Sequence, residues 1–422
     1  MSASLGLVDC SARAGGPSAR GRLDRVVVAH AATSGGMLLN FGRPLAEKVI
    51  DEGGQLHFFA STLPIFSRPP SREQYETIGA TFHGLKLPRN PAPWRDLVAL
   101  VAMTATLRRL KVRILHTRSA TMGALGGIAG RLAGVPVIIH HQDDLYCREG
   151  RLTPTAKKLI ALLERALSRL RHRSIFVSTT VLEEAARNGF HTSQNLLVEI
   201  DLNPALITAA MTDSGAELTR HPLLDQLGIP RRALVVGSIG RLAHLKGFDT
   251  LIQTAKQTCD EYPDCYFLIR GDGPLKDQLK GMITKLGLTS RVLLSHQRVP
   301  VEQFARLYRS FDIFMLPTRR EGFGMVFAEA MAFGVPVIGP DMAPVSEVVG
   351  PGCGILVEPE SVEQYHGALR ALLGDAALRQ TMGRNAKEYA LRRWCRETAA
   401  DRVIEVYCEL LRSKGIVAGE VA

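Results

Sequence analysis

The sequence predicts an α/β protein made of two doubly wound, Rossmann-like domains that face each other across a cleft. Three observations carry this. From residue 25 onward, short β-branched runs alternate with longer amphipathic segments, the order of a parallel sheet covered by helices. The alternation breaks once, at DSGAELTRHPLLDQLGIP (213–230), and then restarts. Finally, 422 residues at 46% hydrophobic and 22% charged are enough for two cores and too mixed for a disordered chain.

Residues 1–22, rich in Ala, Gly, Ser and Arg, lack the apolar run of a secretion signal and read as a disordered leader or a mis-assigned start. The first domain spans 23–212. RVVVAH (25–30) is its opening strand, followed by a glycine turn and a helix within NFGRPLAEKVIDEG that stops at Gly53-Gly54. QLHFFAS (55–61), VRILHT (112–117), VPVIIHH (135–141) and SIFVST (174–179) are further strands. After the 213–230 linker, the second domain (231–392) repeats the pattern: ALVVGSIG, CYFLIRG, RVLLSH, DIFMLPT, VPVIGP and GILVEP.

Seven scattered cysteines form neither a disulfide framework nor CxxC metal spacing, which points to reduced thiols and a cytoplasmic setting. No uninterrupted apolar stretch reaches the roughly 20 residues of a membrane span. The net charge is +11, with its basic excess densest at Arg89–Arg113 and Arg148–Arg173. In the second stretch Leu159, Leu163, Ala166 and Leu170 share a helical face, with Lys157, Lys158, Arg165, Arg169 and Arg171 around it. Two readings stand: a solvated helix, or docking on an anionic membrane surface. Nucleic acid is not expected as a partner, because no aromatic-interleaved platform or DNA-binding motif accompanies the charge.

Open α/β sheets bind ligands at the carboxyl ends of their strands, so the chemistry is sought there. After the first strand of the second domain comes GRLAHLKG, where Arg241 and Lys246 flank a helix start and suit an anion. In EGFGMVFAEAMAFG, Gly322 and Gly324 allow close backbone approach, and a helix from about Met325 aims its N–H groups at the same anion. Glu329 sits within that apolar helix, where an unpaired carboxylate is costly. Glu321 and Glu329 therefore read as acceptors for hydroxyls at opposite ends of one ligand. The alternative is that Glu321 caps the helix and Glu329 pairs with a cation. Asp272 in RGDGP reads as a turn former.

Five stretches, GRLxxxKG (240–247), GDGP (271–274), LPTRREGFGMVFAEAMAFGVPVI (316–338), SEVV (346–349) and, in the first half, TSGGMLLNFGRPLAEKVIDEGGQLHFF (33–59), together resemble a retaining glycosyltransferase of the GT-B fold, family 4. RSATMGALGGIAGRLAGVPVIIH (118–140) extends the likeness. The resemblance implies a UDP- or GDP-sugar donor, a lipid-linked or glycan acceptor hydroxyl, retention at the anomeric carbon and no essential metal or other cofactor. It assigns Arg241 and Lys246 to the diphosphate, Glu321 to the donor sugar and Glu329 to the ribose. Backbone N–H groups of Phe323, Gly324 and Met325 would meet sugar or phosphate, Gly35 and Gly36 would close from the other domain, and Arg270, Gly271 and the His296–Val299 loop would surround the base. The terminal helix, 393–412, would cross back onto the first domain, with Trp394 and Tyr407 as packing residues.

The family's sugar-contacting histidine falls within HHQDDLY, where its usual glycine is absent; His141 matches by position, and His140 and Asp143 compete. Arg118, opening a loop on the acceptor side, is placed to meet a phosphate. Alternatives are an epimerase or hydrolase of nucleotide sugars, an inactive binding protein of the same fold, and a dinucleotide-dependent oxidoreductase. TSGGMLLNF lacks the GxGxxG spacing the last would need.

Overall fold

The computed structural model describes residues 21–65, 69–88, 92–143, 145, 153–190, 195–198, 204–211, 220–297, 299, 301–394, 399–417 and 419. The expected leader up to residue 20, linker residues 213–219 and VEIDLN apart from Val198 lie outside them. Arg22 does not belong to a leader: its guanidinium and backbone N–H both bond the Glu52 carboxylate.

In the first domain seven strands form one all-parallel sheet: β1 (Val27–Ala32), β2 (Gln55–Ser61), β3 (Thr81–Leu85), β4 (Ile114–Arg118), β5 (Val137–Gln142), β6 (Arg173–Phe176) and β7 (Asn195–Leu197). Their order is β3-β2-β1-β4-β5-β6-β7. The second domain repeats the design with β8 (Leu234–Ile239), β9 (Cys265–Arg270), β10 (Val292–Ser295), β11 (Ile313–Met315), β12 (Val337–Pro340) and β13 (Gly354–Val357), in the order β10-β9-β8-β11-β12-β13. In both sheets the strand order reverses at the first strand, beside β4 and β11 respectively. Such a switch point leaves a crevice at the carboxyl ends.

The structure adds β3 and β7, which the sequence reading passed over. TFHGL (81–85) carries a glycine and a histidine, and NLL (195–197) is three residues long, so neither shows a sustained apolar run. Residues 220–230 are no free linker. They hold a short helix, Pro222–Gln226, whose Leu223 and Leu224 are buried in the core of the second domain.

Two helical segments are described along the expected terminal helix. Ala376–Trp394 packs on the second domain through Ala386, Ala390 and Trp394. Ala399–Ser413 crosses to the first, burying Val403, Ile404, Tyr407 and Leu411 against Val28 and Ile114. Lys48–Asp401 (2.9 Å) and Arg173–Glu409 (2.7 Å) ion pairs flank that seam. A further tie joins the domains at SEVV: the Glu347 carboxylate accepts the backbone N–H groups of Thr179 and Thr180 (both 3.0 Å), capping the helix Thr179–Arg187 of the first domain.

Candidate active site

Between the two sheets lies a cleft of about 870 Å³, walled by both domains. From the first come Gly36, Met37 and Asp143; from the second come Lys246, Arg270, Glu321, Glu329 and the whole run Gly322–Val326. The loop after β8 supplies Lys246, and the loop after β11 supplies Glu321. These two loops stand on either side of the second sheet's switch point, which is why residues 75 positions apart meet.

The meeting is an ion pair. Lys246 Nζ donates to Glu321 Oε1 at 2.5 Å, with Glu321 9% exposed. Gly247 makes this loop possible: its φ is +64°, and a Cβ there would lie 1.8 Å from the Pro317 carbonyl oxygen. The Lys246 loop is thus seated directly on the strand-end segment that leads to Glu321. Arg241 is exposed beyond the end of β8 and does not line the cleft.

The helix expected near Met325 runs Met325–Ala332, with Gly324 before it at φ +98°. Its opening turn faces the cleft, where unsatisfied helix N–H groups favour negative charge. Phe323 is 4% exposed and packs edge-on against Trp394 (6.2 Å), so its side chain anchors the loop and only its backbone is left for a ligand.

Glu329, one helical stretch further in, pairs with no cation among the described residues. The Tyr308 hydroxyl donates to its Oε2 at 2.5 Å. Burial pushes the Glu329 carboxyl up to about 7, against the Tyr308 hydrogen bond and the nearby Arg270 charge, which pull it down. Arg270 stacks over the Phe304 ring (4.8 Å), and burial lowers its pKa. Tyr308 and Phe304 went unseen in the sequence: they sit in an ordinary amphipathic helix, Val301–Arg309, with no motif around them. Gly271 serves the strand end, since a Cβ there would lie 1.9 Å from the Gly240 carbonyl oxygen. Val299 lines the cleft, and Arg298 lies outside the described residues. Asp272 is the turn former expected, accepting the Gly273 N–H at 2.9 Å.

On the opposing wall, Gly35 and Gly36 begin the helix Gly35–Asn40. Gly36 reaches the cleft, whereas Gly35 backs onto Tyr75, whose hydroxyl would be 1.8 Å from any Cβ.

Strand alternation separates the two histidines of β5, since successive side chains point to opposite faces. His140 turns under the helix Ala120–Ala133, bonding Thr117 Oγ1 (2.8 Å) with its ring against Gly123. His141 turns to the face that carries His30, His116 and Tyr407. It stacks on His116 (5.6 Å between centroids, 17° between planes), and neither of its ring nitrogens has a hydrogen-bond partner among the described residues. Burial holds both imidazoles well below the ordinary histidine pKa, so both are neutral at pH 7. Neither histidine lines the cleft; of the two, the neutral His141, with both nitrogens unspent, keeps the capacity to bond a hydroxyl. Tyr407, from the crossing terminal helix, bridges His30 Nε2 (3.0 Å) and His116 Nδ1 (2.6 Å), a packing role with a polar tip.

The acceptor-side pair needs correction. Arg118 is 7% exposed, donating to Asp143 Oδ1 (2.8 Å) and to the Phe41 carbonyl (2.9 Å). It shapes the wall by holding Asp143 rather than presenting an open guanidinium to a phosphate. Asp143, not Arg118, lines the cleft.

Two family patterns match the chain along most of its length: "Glycosyl transferases group 1" over residues 220–389 and "Glycosyl transferase 4-like domain" over 42–199. The chain is a group 1 glycosyltransferase of the GT-B fold. The oxidoreductase, epimerase and inactive-binder alternatives fall with that assignment. Similar curated proteins include the alpha-D-kanosaminyltransferase of Streptomyces kanamyceticus, 25% identical over 88% of this chain and 94% of the relative. Another is the UDP-Gal:alpha-D-GlcNAc-diphosphoundecaprenol alpha-1,3-galactosyltransferase of Escherichia coli, 26% identical over 77% of this chain and 83% of the relative. Among solved structures, Anabaena HepE in complex with UDP and glucose superimposes with a TM-score of 0.71 at 19% identity, covering 92% of this glycosyltransferase and 99% of that chain.

Proposed function

We propose that this glycosyltransferase moves a hexose-type sugar from a UDP- or GDP-sugar, with retention of anomeric configuration and without a resident metal, to a hydroxyl of a lipid-linked or polysaccharide acceptor in cell-envelope glycan synthesis. One observation carries the reading: Glu321 paired to Lys246, the start of the helix Met325–Ala332 and Glu329 all front the same cleft. That succession offers, in order, a carboxylate for sugar hydroxyls, a cation and helix N–H groups for the diphosphate, and a carboxylate for the ribose. As the bond from the anomeric carbon to the diphosphate breaks, its electron pair leaves with the phosphate oxygen, where Lys246 and the helix N-terminus meet the growing charge. The acceptor oxygen bonds the anomeric carbon and passes its proton to the departing phosphate. The UDP bound by HepE and the undecaprenol-linked acceptor named for the E. coli relative support the donor and acceptor classes.

A peripheral site at the inner face of the plasma membrane fits the first domain's outer surface. The helices Pro93–Arg109, Ala120–Ala133 and Pro154–Ser168 form one layer and turn large apolar side chains to solvent, among them Trp94 (66% exposed), Leu97, Val101, Leu159 (67%) and Leu163. Lys158, Arg165 and Arg169 surround them; Arg171 does not, being buried. Apolar side chains set among cations suit an anionic bilayer better than water. No helix among the described residues is long and apolar enough to cross one.

Nucleotide release from UDP-, GDP- and ADP-sugars, with and without a polyprenyl-diphosphate-linked acceptor, tests the function. Acceptor-dependent release with the donor's anomeric configuration kept in the product is expected. An inverted product would remove retention, and silence across the panel would remove the donor assignment.

A further inference from the structure

SEVV (346–349) belongs to the sequence likeness yet does not line the cleft. Its half-buried Glu347 is engaged on two sides. The carboxylate reaches the first domain, where it accepts the Thr179 and Thr180 N–H groups (both 3.0 Å) and the Thr180 hydroxyl. The same helix start is also capped from its own domain by Ser178 Oγ, which accepts the Val181 N–H at 3.3 Å. The Glu347 carbonyl stays with the second domain and accepts Arg393 Nη1 at 2.6 Å. Arg393 donates as well to the Tyr389 hydroxyl (2.5 Å), and its guanidinium lies over the Tyr389 (5.7 Å) and Trp394 (5.6 Å) rings. Tyr389 closes against Gly350, where a Cβ would lie 2.6 Å from its ring. Trp394, 4% exposed, meets Phe323 edge-on. Contacts therefore run without a gap from the first domain's helix through Glu347, Arg393 and Trp394 to the loop between Glu321 and Met325 that fronts the cleft.

We propose that Glu347 is a positioning residue for the donor loop: it fixes the first domain's helix to the Arg393–Trp394 support on which Phe323 rests. A carboxylate on paired N–H groups at a helix start is held by charge-assisted bonds and by the helix dipole. Close-packed rings beyond it pass a displacement on rather than absorb it. The loop's backbone N–H groups thus keep their place towards the cleft only while the two domains are tied at Glu347. Those groups serve bound donor and transition state alike, so slackening the tie falls on the donor KM rather than on kcat. This kinetic consequence rests on the donor reading above; the chain of contacts does not.

The test uses the two tryptophans of the sequence, Trp94 and Trp394. In a Trp94→Phe background Trp394 is the one indole left, and its emission reports on the support with no ligand present. Glu347→Ala shifts that emission to the red and raises its quenching by acrylamide. Ser178→Ala, which uncaps the same helix from within the first domain, leaves both unchanged. In the otherwise unaltered chain, Glu347→Ala raises the donor KM about tenfold, the size of a lost cap, with kcat kept, and Ser178→Ala leaves KM at the wild-type value. Glu347→Gln, which keeps one acceptor, carries the same test if the alanine variant does not melt cooperatively. An unmoved Trp394 emission, equal shifts in Glu347→Ala and Ser178→Ala, or a wild-type donor KM in Glu347→Ala reduces Glu347 to a cap and overturns the role. If the wild-type chain transfers from no donor, the donor reading falls and the fluorescence comparison alone decides.

Discussion

Glu329→Gln probes the donor site where its electrostatics depart furthest from water. Burial moves the Glu329 carboxyl from its ordinary 4.5 to about 7 in the folded protein. Between those values the unfolded chain has released a proton that the folded chain still holds. The Glu329 contribution to stability is therefore full below pH 4.5, falls as pH rises towards 7 and is flat above it. At about 1.4 kcal/mol per tenfold change in proton affinity, the loss across that window approaches about 3 kcal/mol. Glutamine keeps the shape and an acceptor for the Tyr308 hydroxyl but carries no charge. The variant should lose this share of the pH dependence and, relative to wild type, gain up to about 3 kcal/mol between pH 4.5 and pH 8 in urea melts. Ligand binding runs the other way. On the proposed ribose contact, hydroxyls donate to the ionised carboxylate, so nucleotide affinity should rise with pH, by up to about tenfold per pH unit below 7, and level off above. In the variant, affinity drops and this dependence disappears. A wild-type pH slope in the stability of Glu329→Gln, or nucleotide affinity in wild type that ignores pH between 5 and 8, would refute the reasoning.

Lys246→Ala removes the cation proposed to stand beside the departing phosphate; turnover should fall by about 10²–10³-fold while the chain stays folded, and wild-type turnover would cancel the assignment. His140→Ala should cost about 2–4 kcal/mol in denaturant melts with turnover per folded molecule kept, because its ring fills space beside Gly123. His141→Asn should instead lower turnover by about a hundredfold, and the reverse pattern would exchange the two histidines. Trp94→Asp should weaken binding to phosphatidylglycerol vesicles by about tenfold while sparing turnover on a soluble acceptor; unchanged vesicle binding would return the surface to solvent.

The motifs that announced the donor side are local in sequence for a physical reason. GRLAHLKG and EGFGMVFAEAMAFG each wrap one strand end, and their glycines are needed wherever a loop must press against a neighbouring carbonyl, as Gly247 does on Pro317. The fold was equally legible, because buried parallel strands such as LVVGSI and CYFLIR are apolar along most of their length. Edge strands β3 and β7 escaped because an edge need not be apolar on both faces. Tyr308 escaped because a tyrosine in an amphipathic helix looks like any core residue until its hydroxyl is seen to meet Glu329 at 2.5 Å.

Period-two and period-three-and-a-half patterning, with glycines at strand ends, determined by themselves that this chain winds two parallel sheets and puts acids and cations at their carboxyl edges. Which of those groups work together was left to the tertiary structure. It paired Lys246 with Glu321 across a switch point and tied Arg118 to Asp143. It also sent His140 and His141 to opposite faces of one strand, leaving the second without a hydrogen-bond partner among the described residues. Partnership between distant side chains follows from strand order and register, and those are fixed only when the whole sheet closes.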